Sequence, residues 1–134
     1  MGRYGIDWDK GLEKFTIEDY DKIMVETTKI IRKRSIDACE RALAFYDRGV
    51  LYEMREDYKK AIIDYSSAIH LRENFATYYN RGKMYAICRQ YDKALFDLDK
   101  ALSFNPDSEA AQNIIEIINR AKTAKEKADK NYFG

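Results

Sequence analysis

Residues 46–71, YDRGVLYEMREDYKKAIIDYSSAIHL, and residues 79–104, YNRGKMYAICRQYDKALFDLDKALSF, are two versions of one sentence. A shift of 33 residues superimposes them, with Tyr46/Tyr79, Arg48/Arg81, Gly49/Gly82, Tyr52/Tyr85, Tyr58/Tyr91, Lys60/Lys93, Ala61/Ala94, Asp64/Asp97 and Ala68/Ala101 identical. Nine identities in 26 positions, all in one register, are the mark of a tandem repeat, and this period suits a stacked helix–turn–helix unit. The second half of each unit carries the apolar stripe of a helix buried on one side. It runs Ala61, Ile62, Tyr65, Ala68, Ile69 in the first copy and Ala94, Leu95, Leu98, Ala101, Leu102 in the next.

The identities have mechanical readings. Glycine inside a helix costs about 1 kcal/mol against alanine, so Gly49 and Gly82 imply a close approach of the two helices in each pair. Ala61 and Ala94 are expected as the small counterparts across that contact, with Tyr52, Tyr58 and Tyr65 and their equivalents filling the space around it. Asp64 and Asp97 recur with the repeat, which assigns them a structural role in each unit rather than paired acid–base work.

This pattern of glycine, tyrosine three residues on, then alanine, a large apolar residue and alanine resembles the tetratricopeptide repeat family. Phe45 and Tyr78 stand at the early aromatic site, and Pro106 at the closing proline, where the first unit has Glu73. The resemblance covers residues 42–108. It implies an all-α fold of helix pairs stacked as a short right-handed α-solenoid, and a function in binding other polypeptides.

Composition agrees. One proline and six glycines among 134 residues leave too few breakers for a sheet-rich chain and suit long helices joined by short turns. Two repeats alone bury too little surface, so the flanks are expected to add helix. Residues 18–31 align with 56–69 at a shift of 38, keeping Ile23, Met24, Ile30 and Ile31 on a stripe, with Thr16 and Asp19 as a capping signal. Downstream, Ala111, Ile114, Ile115, Ile118 and Ala121 form one face of a capping helix. The expected organisation is an irregular arm over 1–16 carrying Tyr4, Trp8 and Phe15, then one domain over 17–134. That domain comprises a helical segment 17–41, repeats 42–74 and 75–108, and a cap 109–130.

A formal net charge of +1 lacks the concentrated basic excess of a nucleic-acid binder. The basic stretches Lys29–Arg34 and Arg120–Lys130 read as solvated helix surface. Cys39 and Cys88 have no cysteine or histidine neighbours and match neither a disulfide framework nor a zinc site, so free thiols in a cytoplasmic protein are expected. No apolar run approaches the roughly 18 residues of a membrane span, and the N-terminus has no apolar signal core. His70 is the single histidine, and no phosphate loop, nucleophile elbow or ligand cluster accompanies it. No enzyme activity, cofactor or metal is expected.

What remains is binding. In the resembled family the groove-facing positions of each unit's first helix lie six and three before the glycine and one, four and five after it. Here they are Leu43, Tyr46, Val50, Glu53 and Met54, then Ala76, Tyr79, Lys83, Ala86 and Ile87; the same spacing carried into the cap gives Ala110, Asn113 and Ile117. Asn80 matches the central asparagine of the family's clamp for chaperone carboxylates, but Tyr46, Val50, Ala110 and Ile114 stand where the other clamp residues are needed, and that reading is rejected. The candidate groove is therefore Leu43, Tyr46, Val50, Met54, Tyr79, Asn80, Lys83, Ile87, Asn113 and Ile117. Its aliphatic and aromatic side chains around one lysine suit an apolar peptide with an acidic contact. The alternative is a structural module that self-assembles into homo-oligomers through repeat ends or the arm.

Overall fold

A computed structural model describes residue 4 and residues 15–133, without the side chains of residues 132 and 133. Trp8, and with it most of the arm, lies outside the described residues. Among the described residues six α-helices follow one another: α1 (Ile17–Arg32), α2 (Ala38–Met54), α3 (Tyr58–Leu71), α4 (Phe75–Ile87), α5 (Tyr91–Phe104) and α6 (Glu109–Phe133). No strand occurs among the described residues, and the fold is all-α. The chain divides into two compact units, Met1–Arg72 and Glu73–Gly134.

In the first unit α1 starts on a capping box. Thr16 Oγ1 accepts the Asp19 N–H at 3.1 Å while Asp19 Oδ2 accepts the Thr16 N–H at 3.0 Å. Its inward face buries Tyr20, Ile23 and Thr27, and the Thr27 hydroxyl is satisfied by the Ile23 carbonyl at 2.8 Å. Met24, Ile30 and Ile31 are half-buried on the same side. Arg41 on α2 secures the other end of α1 by donating to the carbonyls of Ile31 and Lys33. Tyr4 and Phe15 pack against the buried cluster Tyr20, Ile23 and Leu51, and the Tyr4 hydroxyl donates to the Asp47 carboxylate on α2.

α2 and α3 pair through their repeat residues. A β-carbon added to Gly49 would stand 2.7 Å from Tyr65 Cε1 and 2.8 Å from Cδ1. In the second unit, a β-carbon at Gly82 would lie 3.1 Å from Leu98 Cγ and 3.3 Å from Asp97 Cβ. The helices do meet closely at the glycines, as expected, but the counterparts are Tyr65 and Leu98 rather than Ala61 and Ala94. The alanines are fully buried one helical turn earlier. Glycine is needed because a large side chain crosses over it.

Each pair is also bolted by an ion pair 16 residues apart. Arg48 donates through Nε and Nη2 to Asp64 at 2.8 and 2.9 Å, and Arg81 does the same to Asp97 at 2.7 and 2.7 Å. The carboxylate side chains are 3% and 1% exposed, so both aspartates are interior charges that need this bidentate partner. Aromatic rings cover the guanidinium faces. Phe45 and Tyr52 lie 5.8 and 6.0 Å from Arg48, and Tyr78 and Tyr85 both 5.7 Å from Arg81. The Asp64 hydrogen bond raises the Arg48 pKa. At Arg81 burial opposes the charge most strongly, yet the hydrogen bond to Asp97 and the attraction of its carboxylate, with smaller help from Tyr85 and Tyr78, together outweigh it and the pKa also rises.

The turns joining the helices of each pair are also copies. Glu56 and Arg89, 33 residues apart, adopt φ of 59° and 61°. Asp57 N–H reaches the Tyr52 carbonyl and Gln90 N–H that of Tyr85, both at 2.9 Å, while Glu56 and Arg89 donate to Glu53 and Ala86. This is the Schellman termination, in which a left-handed residue usually is glycine.

α6 closes the second unit, burying Ala111 and Ile118 against Ala94 and Leu98, with Ile114 and Ile115 half-buried beside them. Lys122 ties it to α5 through Asp92 at 2.9 Å. That contact lowers the carboxyl pKa and raises the ammonium pKa.

Candidate functional site

The ten candidate side chains fall on three helices. On α2, Leu43, Tyr46, Val50 and Met54 recur at intervals of three and four residues and so share one face. Leu43 and Met54 are 40% and 50% exposed. Val50 is half-buried, and Tyr46 leans on the buried Tyr65 ring with centroids 5.8 Å apart. Tyr46 thus has a packing duty besides any contact it offers outward.

On α4 the arrangement is more built. Tyr79 stacks on Phe75, centroids 5.5 Å apart and planes inclined by 14°. The Lys83 ammonium lies 5.1 Å from the Tyr79 ring centroid. Two turns beyond Tyr79, Ile87 is 52% exposed, while Asn80 is half-buried alongside. Stacking fixes the ring, and the Lys83 ammonium lies over that ring beside an apolar strip. On α6 Asn113 is exposed and Ile117 is 61% exposed, off the buried stripe as its spacing required.

The structure brings Tyr79 and Lys83 into direct contact, and places Leu43, Tyr46, Val50 and Met54 along one side of their helix. Such a set can stack, offer a positive charge and accept apolar side chains. Titratable groups are used elsewhere: Asp64 and Asp97 in the arginine bolts, while His70 is exposed on α3. Among the described residues no group of histidine, cysteine or carboxylate side chains could hold a metal ion. No helix is long and apolar enough to cross a membrane. Both cysteines are free thiols, Cys39 exposed.

Five exposed apolar side chains escaped the sequence reading: Ile17 and Phe104 at the ends of their helices, and Val25, Ile63 and Phe96 within theirs, at 52%, 62% and 58% exposure. Ile63 and Phe96 sit outside the buried stripes, the same signal that singled out Ile117.

The family model described as tetratricopeptide repeat matches residues 76–108. No curated protein sequence matches the chain. Among solved structures, it is similar to the NMR structure of the first TPR domain of the human RPAP3 protein. The TM-score is 0.71 and the identity 22%, over 89% of this chain and 91% of that one. That likeness concerns the fold. Tetratricopeptide repeats generally serve interactions between proteins. Residues 76–108 are thus a tetratricopeptide repeat folded on the helices α4 and α5, the preceding copy repeats its pattern on α2 and α3, and the fold is that of a tetratricopeptide-repeat domain.

Proposed function

We propose that the chain is an adaptor that receives a partner's peptide or helix on the outward faces of its first helices. The observation that carries this reading is the α4 face, where Phe75 props Tyr79, Tyr79 holds Lys83, and Ile87 stands 52% exposed. A surface with a rigid aromatic, an oriented cation and an exposed aliphatic side chain is equipped for an apolar segment with a neighbouring carboxylate. The corresponding face of α2 offers Leu43, Tyr46, Val50 and Met54, and α6 adds Asn113 and Ile117. Residues 17–134 work as one binding domain in this proposal, and the free thiols of Cys39 and Cys88 favour a reducing compartment such as the cytoplasm.

Self-assembly is the second reading. Against it stands the arm, whose described residues Tyr4 and Phe15 pack on Tyr20, Ile23 and Leu51 of the same chain. Sedimentation at low and high concentration separates the two, and the adaptor reading expects a monomer throughout. For the face itself, peptides selected for binding from a random library are measured against Tyr79→Ala, Lys83→Glu and Ile87→Asp. Each substitution should weaken binding about tenfold or more while leaving the thermal melt in place. Ligands indifferent to all three would remove the α4 face from consideration.

A further inference from the structure

Val25, Ile63 and Phe96 are not scattered exposures. The shift of 33 residues carries Ile63 onto Phe96, and the shift of 38 that aligns α1 with α3 carries Val25 onto Ile63. One exposed aliphatic residue needs no explanation, but one repeat position left apolar in water three times does. Its neighbours recur as well. Lys22, Lys60 and Lys93 stand three residues before it, and Lys29 and Lys100 four residues after, with Ser67 in the middle copy.

In the second unit this position borders a hollow of about 390 Å³ between α4 and α5, lined by Arg81, Tyr85, Asp92, Lys93, Phe96 and Asp97. Both of its carboxylates are matched within the fold, Asp97 by Arg81 at 2.7 Å and Asp92 by Lys122 at 2.9 Å. The lysines are held over rings instead, Lys93 at 5.6 Å from Tyr85 and Lys100 at 5.9 Å from Phe96. Arg81 and Tyr85 leave α4 roughly 200° around the helix from Tyr79 and Lys83, so the hollow and the α4 binding face are different surfaces.

We propose that this hollow is a second docking station, one that takes an acidic peptide segment inserting a single large apolar side chain between Tyr85 and Phe96. The peptide's carboxylates follow the edge of α5 that carries Lys93 and Lys100. The opposite edge carries Asp92 and Asp99, which repel a uniform polyanion and so favour a peptide with localised acids over nucleic acid or an anionic lipid surface.

The test uses the whole chain, isotope-labelled, titrated with a short synthetic peptide of aspartate and glutamate around one phenylalanine. Saturable amide shifts should centre on Tyr85, Lys93 and Phe96. Phe96→Ser, and separately Lys93→Glu with Lys100→Glu, should each weaken the peptide about tenfold, and Phe96→Leu should restore most of the loss. Phe96 is 58% exposed and both lysines are exposed, so these variants keep their cores, which circular dichroism checks. Lys83→Glu should leave this binding unchanged while weakening ligands of the α4 face, which keeps the two proposals separable. Shifts centred on Tyr79, Lys83 and Ile87, no saturation, or equal affinity for polyglutamate lacking phenylalanine, for a DNA oligonucleotide or for anionic vesicles would overturn it.

Discussion

Alanine substituted at the two repeat glycines should give different results, although the positions are equivalent in sequence. At Gly49 the new β-carbon meets the Tyr65 ring at 2.7 Å, well inside contact distance. Tyr65 is fully buried, its hydroxyl is held by Glu53 at 2.9 Å, and its ring leans on Tyr46, so it has nowhere to swing. At Gly82 the nearest atom is Leu98 Cγ at 3.1 Å, a gap that opens with a few tenths of an ångström of movement. Alanine returns about 1 kcal/mol of helix propensity at both sites, and forced overpacking costs about 1–3 kcal/mol. Gly49→Ala should therefore destabilise by about 2 kcal/mol, and Gly82→Ala by less than about 1 kcal/mol. Leucine at position 82 cannot be accommodated by such a movement and should be severely destabilising. The decisive variant is Gly49→Ala combined with Tyr65→Leu, which converts the first pair to the second pair's geometry. Urea denaturation of the four proteins in that cycle should show a favourable coupling above about 1 kcal/mol. Equal losses at the two glycines, or strictly additive effects of the Gly49 and Tyr65 changes, would refute the knob-over-glycine account.

Arg89→Gly should raise the melting temperature, because it relieves a left-handed conformation costing an L-residue roughly 1–2 kcal/mol, less what glycine loses in the unfolded chain; calorimetry decides, and a lowered midpoint contradicts the strain. Arg81→Met leaves the Asp97 carboxylate interior and uncompensated and should cost about 3–5 kcal/mol, most of it recovered by adding Asp97→Leu; denaturation curves that stay put in the single variant would show the bolt to be dispensable. Burial, then the hydrogen bond to Glu73 at 2.5 Å, pushes the Tyr78 phenol up to about 12 from 10.0. The folded state holds that proton more tightly than the unfolded chain. The resulting stability is complete below pH 10.0 and is lost as pH rises through about 12. Ultraviolet titration should show a late-ionising tyrosine that moves earlier in Glu73→Gln, and coincident curves would discount the contact.

Much of this molecule could be read from its residues because the repeat supplied an internal control. Thr16 and Asp19 announced a capping box that forms with both of its hydrogen bonds. Gly49 and Gly82 announced a close approach, yet their partners were misassigned, since the invariance of Ala61 and Ala94 drew attention away from Tyr65 and Leu98, which differ between copies. A knob can change identity while keeping its place, and the spacing alone does not say which side chain crosses the glycine. The arginine bolts were half legible: Arg48/Arg81 and Asp64/Asp97 both stood among the identities, but nothing in the spacing joined them. The left-handed turns were hidden because Glu56 and Arg89 carry no glycine or asparagine signature. Val25, Ile63 and Phe96 were readable in principle, by applying to the second helices the off-stripe test that isolated Ile117.

The bolt and the knob share a property that bears on inheritance. Arg48 with Asp64 and Gly49 with Tyr65 are each satisfied within one copy, as are Arg81 with Asp97 and Gly82 with Leu98. A helix pair therefore travels with its own fastenings. An in-frame duplication of one 33-residue period delivers a pair already complete, whereas an insertion or deletion between the arginine and its aspartate breaks the 16-residue spacing that both fastenings depend on. By this geometry, length can change by whole copies at little structural risk, whereas a change of length inside a copy costs it both fastenings.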